Sequence, residues 1–338
     1  MKNQLNYQHT LGIDISKKEL DYSLKHHNQL IHQGKVSNTL EGLKTLKKVI
    51  KKLKIDLSKI LFCCENTGIY NSPILIFTQK TKINLWLENP YTIKNTLGLA
   101  RGKNDKADAE RIATYAHRYQ DDFRPWTPPK KVIAKLQALW KRRKTVLKLR
   151  TQLKQNLNEI KDMQGKSAYD EAQQSYKNTL QGIEKDFKKI EAELKETLKS
   201  DKNLQRIHTV ITSVPGVGTV TAIYLIVLTE GFRRLNDPRK LACYGGVVPF
   251  PYQSGSSLKG KEKVSPFANK EFKTLLHLCV LAILKMDNKF RDFYNKKLEE
   301  GKQVMSVINA LRNKILHTIC ACVRKDKEYD ENYTNALA

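Results

Sequence analysis

The chain has 338 residues and carries 61 Lys plus Arg against 34 Asp plus Glu, a net charge of +27. That length accommodates two or three domains, and that charge favours a polyanionic partner over a neutral one. No stretch reaches the roughly 18 apolar residues that cross a bilayer, and Met1-Lys2-Asn3-Gln4 lacks the apolar core of a signal peptide, so a cytoplasmic, nucleoid-associated protein with no membrane partner is expected.

The basic excess is made of 47 Lys and 14 Arg. Part of it could reflect a lysine-rich coding bias, with a solvated surface and no ligand. The six cysteines, at 63, 64, 243, 279, 320 and 322, show no CxxC spacing. Reduced, packed thiols are expected, without zinc or disulfides.

Residues 8 to about 120 read as α/β. Apolar runs suited to strands occur near 9–15, 20–25, 59–64 and 83–88, and helical spacing occurs over 39–53 and 106–118. The first three strands are expected to form an antiparallel meander and the later ones to alternate with helices, giving a mixed sheet. Two acids fall at the ends of apolar runs: Asp14 in Leu11-Gly12-Ile13-Asp14-Ile15, and Glu65 after Ile60-Leu61-Phe62-Cys63-Cys64. Two more, Asp105 and Asp108, lie three apart where a helix begins. Strand-borne carboxylates joined by an i, i+3 pair on one helix face can hold Mg²⁺ or Mn²⁺ against a phosphodiester. Singly, each has a plainer reading: Asp14 could cap a turn and Asp105 a helix.

Pro125, Pro128 and Pro129 punctuate the end of this unit. Beyond them Val132, Leu139, Val146, Leu153 and Ile160 recur every seven residues. After a break at Gly165, Leu180, Ile183, Phe187, Ile190 and Leu194 follow a three-four spacing. This predicts a coiled-coil hairpin of two long helices over 126–203. Ten Lys or Arg and no acid fall between 130 and 154. Such a face, with Arg142 and Arg143 in it, suits phosphate contacts as well as plain solvation.

The last unit, 204–338, opens on Pro215-Gly216-Val217-Gly218, a glycine turn at a helix start. It resembles a helix-hairpin-helix, and the backbone N–H groups at Gly216 and Gly218 could grip a phosphate. A plain inter-helix turn fits as well. Then come Tyr244-Gly245-Gly246-Val247-Val248-Pro249 and a loop holding Gln253-Ser254-Gly255, followed by Lys259, Lys261 and Lys263. Ser254 is placed to act as a nucleophile, although no neighbouring His or Asp suggests a hydrolase triad. Helices are predicted near 270–286 and 302–324.

Taken together, Leu11-Gly12-Ile13-Asp14, Lys103-Asn104-Asp105-Lys106-Ala107-Asp108-Ala109, Pro215-Gly216-Val217-Gly218 and Gln253-Ser254-Gly255 resemble the DEDD-type transposases of the insertion-sequence one-ten family, relatives of the pilin-gene invertases. The resemblance implies a RuvC-like, ribonuclease-H-type domain over 1–125 whose Asp14, Glu65, Asp105 and Asp108 bind Mg²⁺. It implies a coiled coil, then a mainly helical transposase domain with Ser254 as nucleophile. It also implies a covalent phosphoserine intermediate and DNA as substrate. A structured bridge RNA as guide and assembly as a homodimer or homotetramer are implied too. Arg101, Lys103, Lys259, Lys261 and Lys263 are the further expected nucleic-acid contacts. A metal-dependent junction resolvase cutting by water attack is the alternative reading, and a non-catalytic nucleic-acid scaffold is a third.

Overall fold

The computed structural model describes residues 7–98, 104–254, 258–265 and 267–332, with backbone alone over 251–254, 258–259 and 261–263. Arg101 and Lys103 lie outside the described residues. Two compact units meet at Pro128 and Pro129.

The first unit is a five-stranded sheet in the order β3-β2-β1-β4-β5. Strands β1 (His9–Ile15), β2 (Glu19–His26) and β3 (Gln29–Ser37) form the antiparallel half. Helix α1 (Leu40–Lys52) then crosses over, so β4 (Ile60–Glu65) runs parallel to β1. Helix α2 (Ser72–Thr81) leads to β5 (Asn84–Glu88), parallel to β4. Helices α3 (Pro90–Thr96) and α4 (Asp105–Arg118) complete the unit.

The expected mixed sheet is present, with one change in its meander. Its third antiparallel strand is β3, and the 59–64 run is parallel. An intervening helix returns the chain to the same edge of the sheet, and that crossover makes the two strands parallel. Strand β3 escapes a periodicity reading because it is a mostly exposed edge, Gln-Leu-Ile-His-Gln-Gly-Lys-Val-Ser, without an apolar alternation.

Both faces of the sheet are covered. Leu11, Ile13, Phe62 and Cys64 pack toward Leu43, Leu46 and Ile50 of α1 and Ile74 and Phe77 of α2. On the opposite face Leu61, Cys63 and Trp86 meet Ile112, Tyr115 and Ala116 of α4. Cys63 and Cys64 thus point into different cores and stay free, as do the other four cysteines.

Histidines collect where β1 begins. His9 Nε2 lies 3.1 Å from His26 Nδ1, and the His26 ring stands against His27. Burial, then the charges of His26 and His27, hold His9 below its ordinary range. Burial, then His27, Lys25 and Arg118, do the same to His117 on α4. The folded chain therefore favours neutral rings, whereas the unfolded chain takes up protons near pH 6.5. Their contribution is complete above that pH, is lost as pH falls through it, and levels off below the lowered folded values. Thermal melts from pH 7.5 to 5 should show a falling midpoint, and His9→Gln should flatten the trend.

The second unit starts with α5 (Lys131–Gln164) and α6 (Lys166–Lys199), the predicted hairpin, reversed at Gly165 with φ +88°. Helices α7 (Lys202–Thr212), α8 (Thr219–Thr229) and α9 (Pro238–Tyr244) follow. Strands β6 (Pro249–Ser254) and β7 (Leu258–Val264) pair antiparallel, and α10 (Lys270–Ile283), α11 (Lys289–Glu299) and α12 (Val304–Lys325) close the chain.

The hairpin is not a separate body. Ile133, Leu136, Leu139, Trp140, Leu194 and Leu198 at its base share one core with α8, α10 and α12. Trp140 Nε1 donates to Glu271 of α10 at 3.1 Å, and Lys144 pairs with the same carboxylate at 2.8 Å.

Farther along, two arginines enter the seam. Arg143 pairs with Glu191 at 2.9 Å and lies over the Trp140 and Phe187 rings. Arg150 pairs with Glu184 at 3.2 Å and covers Phe187 as well. Arg143 is therefore engaged within the hairpin, its side chain only 13% exposed, whereas Arg142 is exposed.

Candidate active site

Four backbone features bring the acids together. Strands β1 and β4 are adjacent and parallel with Ile13 opposite Cys64, so Asp14 and Glu65 are the next residues at the same edge. Gly12 lies directly beneath α4: a Cβ there would stand 2.2 Å from the Ala109 carbonyl oxygen and the Ala113 nitrogen. By alternation, Asp14 shares that face of β1, and Glu65 shares the face of Leu61 and Cys63 beneath the same helix. Helix α4 then presents Asp105 and Asp108 in its first turn.

The helix-cap reading of Asp105 is not what the structure shows. Asn104 is the cap, its side chain accepting from the Lys106 N–H at 3.1 Å. Asp105 occupies the first helical position with its carboxylate exposed. Nor does Asp14 cap a turn. The β1–β2 turn is closed by Ser16, whose hydroxyl donates to the Glu19 carbonyl at 2.9 Å.

The segment after Glu65 is fixed from below. Asn71 is fully buried; its amide donates to the Glu65 carbonyl at 2.8 Å and its oxygen accepts from the Thr67 N–H at 2.7 Å. The position of α4 is fixed by strands β2 and β5, to either side of β1 and β4. Lys25 on β2, 5% exposed, reaches Glu110 at 3.0 Å and Thr114 at 2.8 Å. Tyr115 donates to Glu88 on β5 at 3.3 Å.

The acids act on one another. Burial raises Asp14 above the ordinary carboxylate range, and Asp105, Asp108 and Asp21 add to the rise. Burial raises Glu65 as well, with Asp14 and Asp108 contributing. Among the described residues, no three His, Cys, Asp or Glu groups are drawn tightly enough to hold a metal ion as they stand. In chemistry and placement the set still fits a hard divalent cation. All its donors are carboxylate oxygens, and its half-buried members, Asp14 and Glu65, are raised by their acidic neighbours, with no cation among the described residues acting against the rise.

Three contributors to this site escape sequence reasoning. Lys25 and Asp21 sit on a strand whose polar residues alternate with Leu20, Tyr22 and Leu24, which reads as a solvated face. In fact both faces of β2 are covered. Gly12 could have been found from its setting, a lone glycine inside an apolar run, which marks close backbone approach.

In the second unit, Ser254 is the last residue of β6, opposite Leu258 in register, and so ends a strand instead of sitting mid-loop. Gly255 lies outside the described residues. Lys259, Lys261 and Lys263 occupy alternate positions along β7. The glycine turn joins α7 to α8 as a helix–turn–helix. Gly216 has φ +74°, and a Cβ there would meet Ile283 Cγ1 at 2.4 Å, so packing against α10 already demands glycine. Gly218 is exposed at the start of α8.

A mixed sheet whose carboxyl edge gathers acids beneath one helix, in a chain whose second unit is mainly helical, suits an enzyme that cuts and joins DNA. A family model described as "Transposase" matches residues 11–162, and one described as "Transposase IS116/IS110/IS902 family" matches residues 208–295. The chain belongs to the IS110 family of transposases. It is 23% identical to the pilin gene-inverting protein of Moraxella bovis over 95% of this chain and 97% of that protein. It is 27% identical to the transposase for insertion sequence element IS1111A of Coxiella burnetii, covering 67% of this chain and 68% of that one. Among solved structures, the Thermus thermophilus RuvC bound to a Holliday junction substrate is similar over 35% of this chain and 99% of its own, at 13% identity and a TM-score of 0.28.

Proposed function

We propose that this transposase cleaves and rejoins DNA through a phosphoserine formed at Ser254, assisted by a divalent cation held at Asp14, Glu65, Asp105 and Asp108. The observation that carries the reading is the convergence of these four acids at one sheet edge, in a chain that also presents a serine at the end of β6. Bound Mg²⁺ or Mn²⁺ would neutralise phosphate charge and lower the barrier to attack on phosphorus.

The Ser254 hydroxyl would attack the phosphate, forming a phosphoserine ester as the bond to one deoxyribose oxygen breaks. Attack by a free DNA hydroxyl would reverse the exchange and release the serine. The ester conserves the bond energy, so rejoining needs no nucleotide cofactor. Asp14 and Glu65 belong to one compact unit and Ser254 to the other. That separation suits a composite site shared between the protomers of a dimer or tetramer.

Pairing by a bridge RNA would supply sequence choice. The protein would then need only backbone contacts, which Arg142 of α5 and Lys259, Lys261 and Lys263 of β7 would make.

The test uses nicked DNA carrying the element's ends. Wild-type protein with Mg²⁺ should accumulate a protein–DNA adduct, and mass spectrometry of its peptides should place the linkage on Ser254. Cleavage with no adduct would show attack by water and sink the serine reading.

A further inference from the structure

The strand next to β1 carries an acid that the four-carboxylate description leaves out. Asp21 on β2 is the direct cross-strand partner of Asp14. It shares the α4 face of the sheet with Ser23 and Lys25, since Lys25 reaches Glu110 and Thr114 on that helix. Because β2 and β4 flank β1, Asp21 and Glu65 stand on either side of Asp14.

Asp21 is 4% exposed, and its Oδ1 is buried with no hydrogen-bond partner among the described residues. A buried carboxylate oxygen left without a donor is costly, and native chains keep such groups only with a reason. Among the described residues the cation paired with Asp21 is Lys35, 3.5 Å from Oδ2, and Lys35 is held closer by Glu19 at 2.9 Å. The charge of Asp21 is thus partly uncompensated, and it is felt at Asp14.

We infer that Asp21 is a fifth carboxylate of the cation site, and that its free oxygen helps to hold the divalent ion from the β2 side of Asp14. This rests on the metal-binding reading of the four acids. Lys35 would compete with the ion for Asp21, so the edge strand β3 would tune the affinity. The assignment explains why an acid is kept in a nearly solvent-free position opposite another acid, an arrangement that is destabilising without a cation.

Mn²⁺ titration of the full-length protein, followed by calorimetry or by the loss of the free-ion electron paramagnetic resonance signal, tests the assignment. Asp21→Asn keeps size and shape, and its Mn²⁺ affinity should fall about tenfold or more, as when groups supporting metal ligands are removed. Asp14→Asn should lose more. Lys35→Met, at an exposed edge, should bind Mn²⁺ more tightly and carries the test if Asp21→Asn fails to fold. A structural role for Asp21 would shift the melting temperature and leave the affinity alone. An Asp21→Asn affinity within threefold of wild type, beside a clear loss in Asp14→Asn, overturns the assignment and spares the four-acid site, as does weaker binding by Lys35→Met. No saturable Mn²⁺ binding by the wild type would remove both.

Discussion

Replacing Asp14 by asparagine should lower DNA cleavage at least about a hundredfold, in line with the cost of disturbing groups that hold a catalytic metal, while raising the melting temperature of the metal-free protein. The two effects share one cause. Asp14 and Glu65 are raised by burial and by neighbouring acids. Above about pH 4 the unfolded chain has released these protons and the folded chain still favours them. The stability they contribute is complete below their unfolded values and is lost as pH rises through the raised folded ones. At neutral pH the ionised group therefore opposes folding. Asparagine removes one charge from it, and a bound divalent ion offsets all of them. Melts in EDTA should place the variant above wild type, and added Mg²⁺ or Mn²⁺ should raise wild type more. A variant that melts lower in EDTA, or that keeps more than a tenth of the activity, contradicts this account.

Gly12→Ala should be comparably damaging without touching a functional side chain. The new methyl would need the space of the Ala109 carbonyl and the Ala113 nitrogen, both 2.2 Å from its position. Backbone on both sides leaves no flexible group to yield, so α4 must move away from β1. Overpacking of this kind costs about 1–3 kcal/mol, occasionally more. The larger effect is on geometry, because Asp105 and Asp108 ride on the displaced helix while Asp14 and Glu65 stay with the sheet. A shift of about 1 Å can cost two orders of magnitude in rate. Circular dichroism should show a folded protein, with cleavage and Mn²⁺ affinity both reduced. A Gly12→Ala protein with wild-type cleavage would mean that the helix is not what fixes the acids.

Much of this arrangement was legible from residues alone, for physical reasons that differ by position. Asp14 and Glu65 stand out because a carboxylate closing an apolar strand has no packing purpose. Asp105 was ambiguous until Asn104 took the cap. Asp21 was hidden by its strand, since polar alternation looks the same whether the polar face meets water or a helix bearing Lys25's partners. Gln253-Ser254-Gly255 reads as a proline-preceded loop, whereas Ser254 ends a strand of a two-stranded ribbon. Proline is excluded from central strands but tolerated in a two-stranded ribbon, where unpaired edges need no N–H. The heptads of α5 put Arg143 and Arg150 near the apolar seam. Their partners there, Trp140, Phe187, Glu184 and Glu191, follow from the packing of the two helices and not from the spacing of one.

Those two arginines have a mechanical consequence. Arg143 pairs with Glu191 and Arg150 with Glu184, seven residues apart on each helix and in opposite directions. Sliding one helix past the other by a heptad would preserve at most one pair and set the other guanidinium against Leu198 or Lys177, which the sequence places one heptad beyond the glutamates. A purely leucine-lined arm could creep between such settings, whereas this one has a single low-energy alignment. With 34 residues in each helix, it is a strut of fixed length, about 50 Å. Whatever binds its far end is held at a set distance from the core that contains its base.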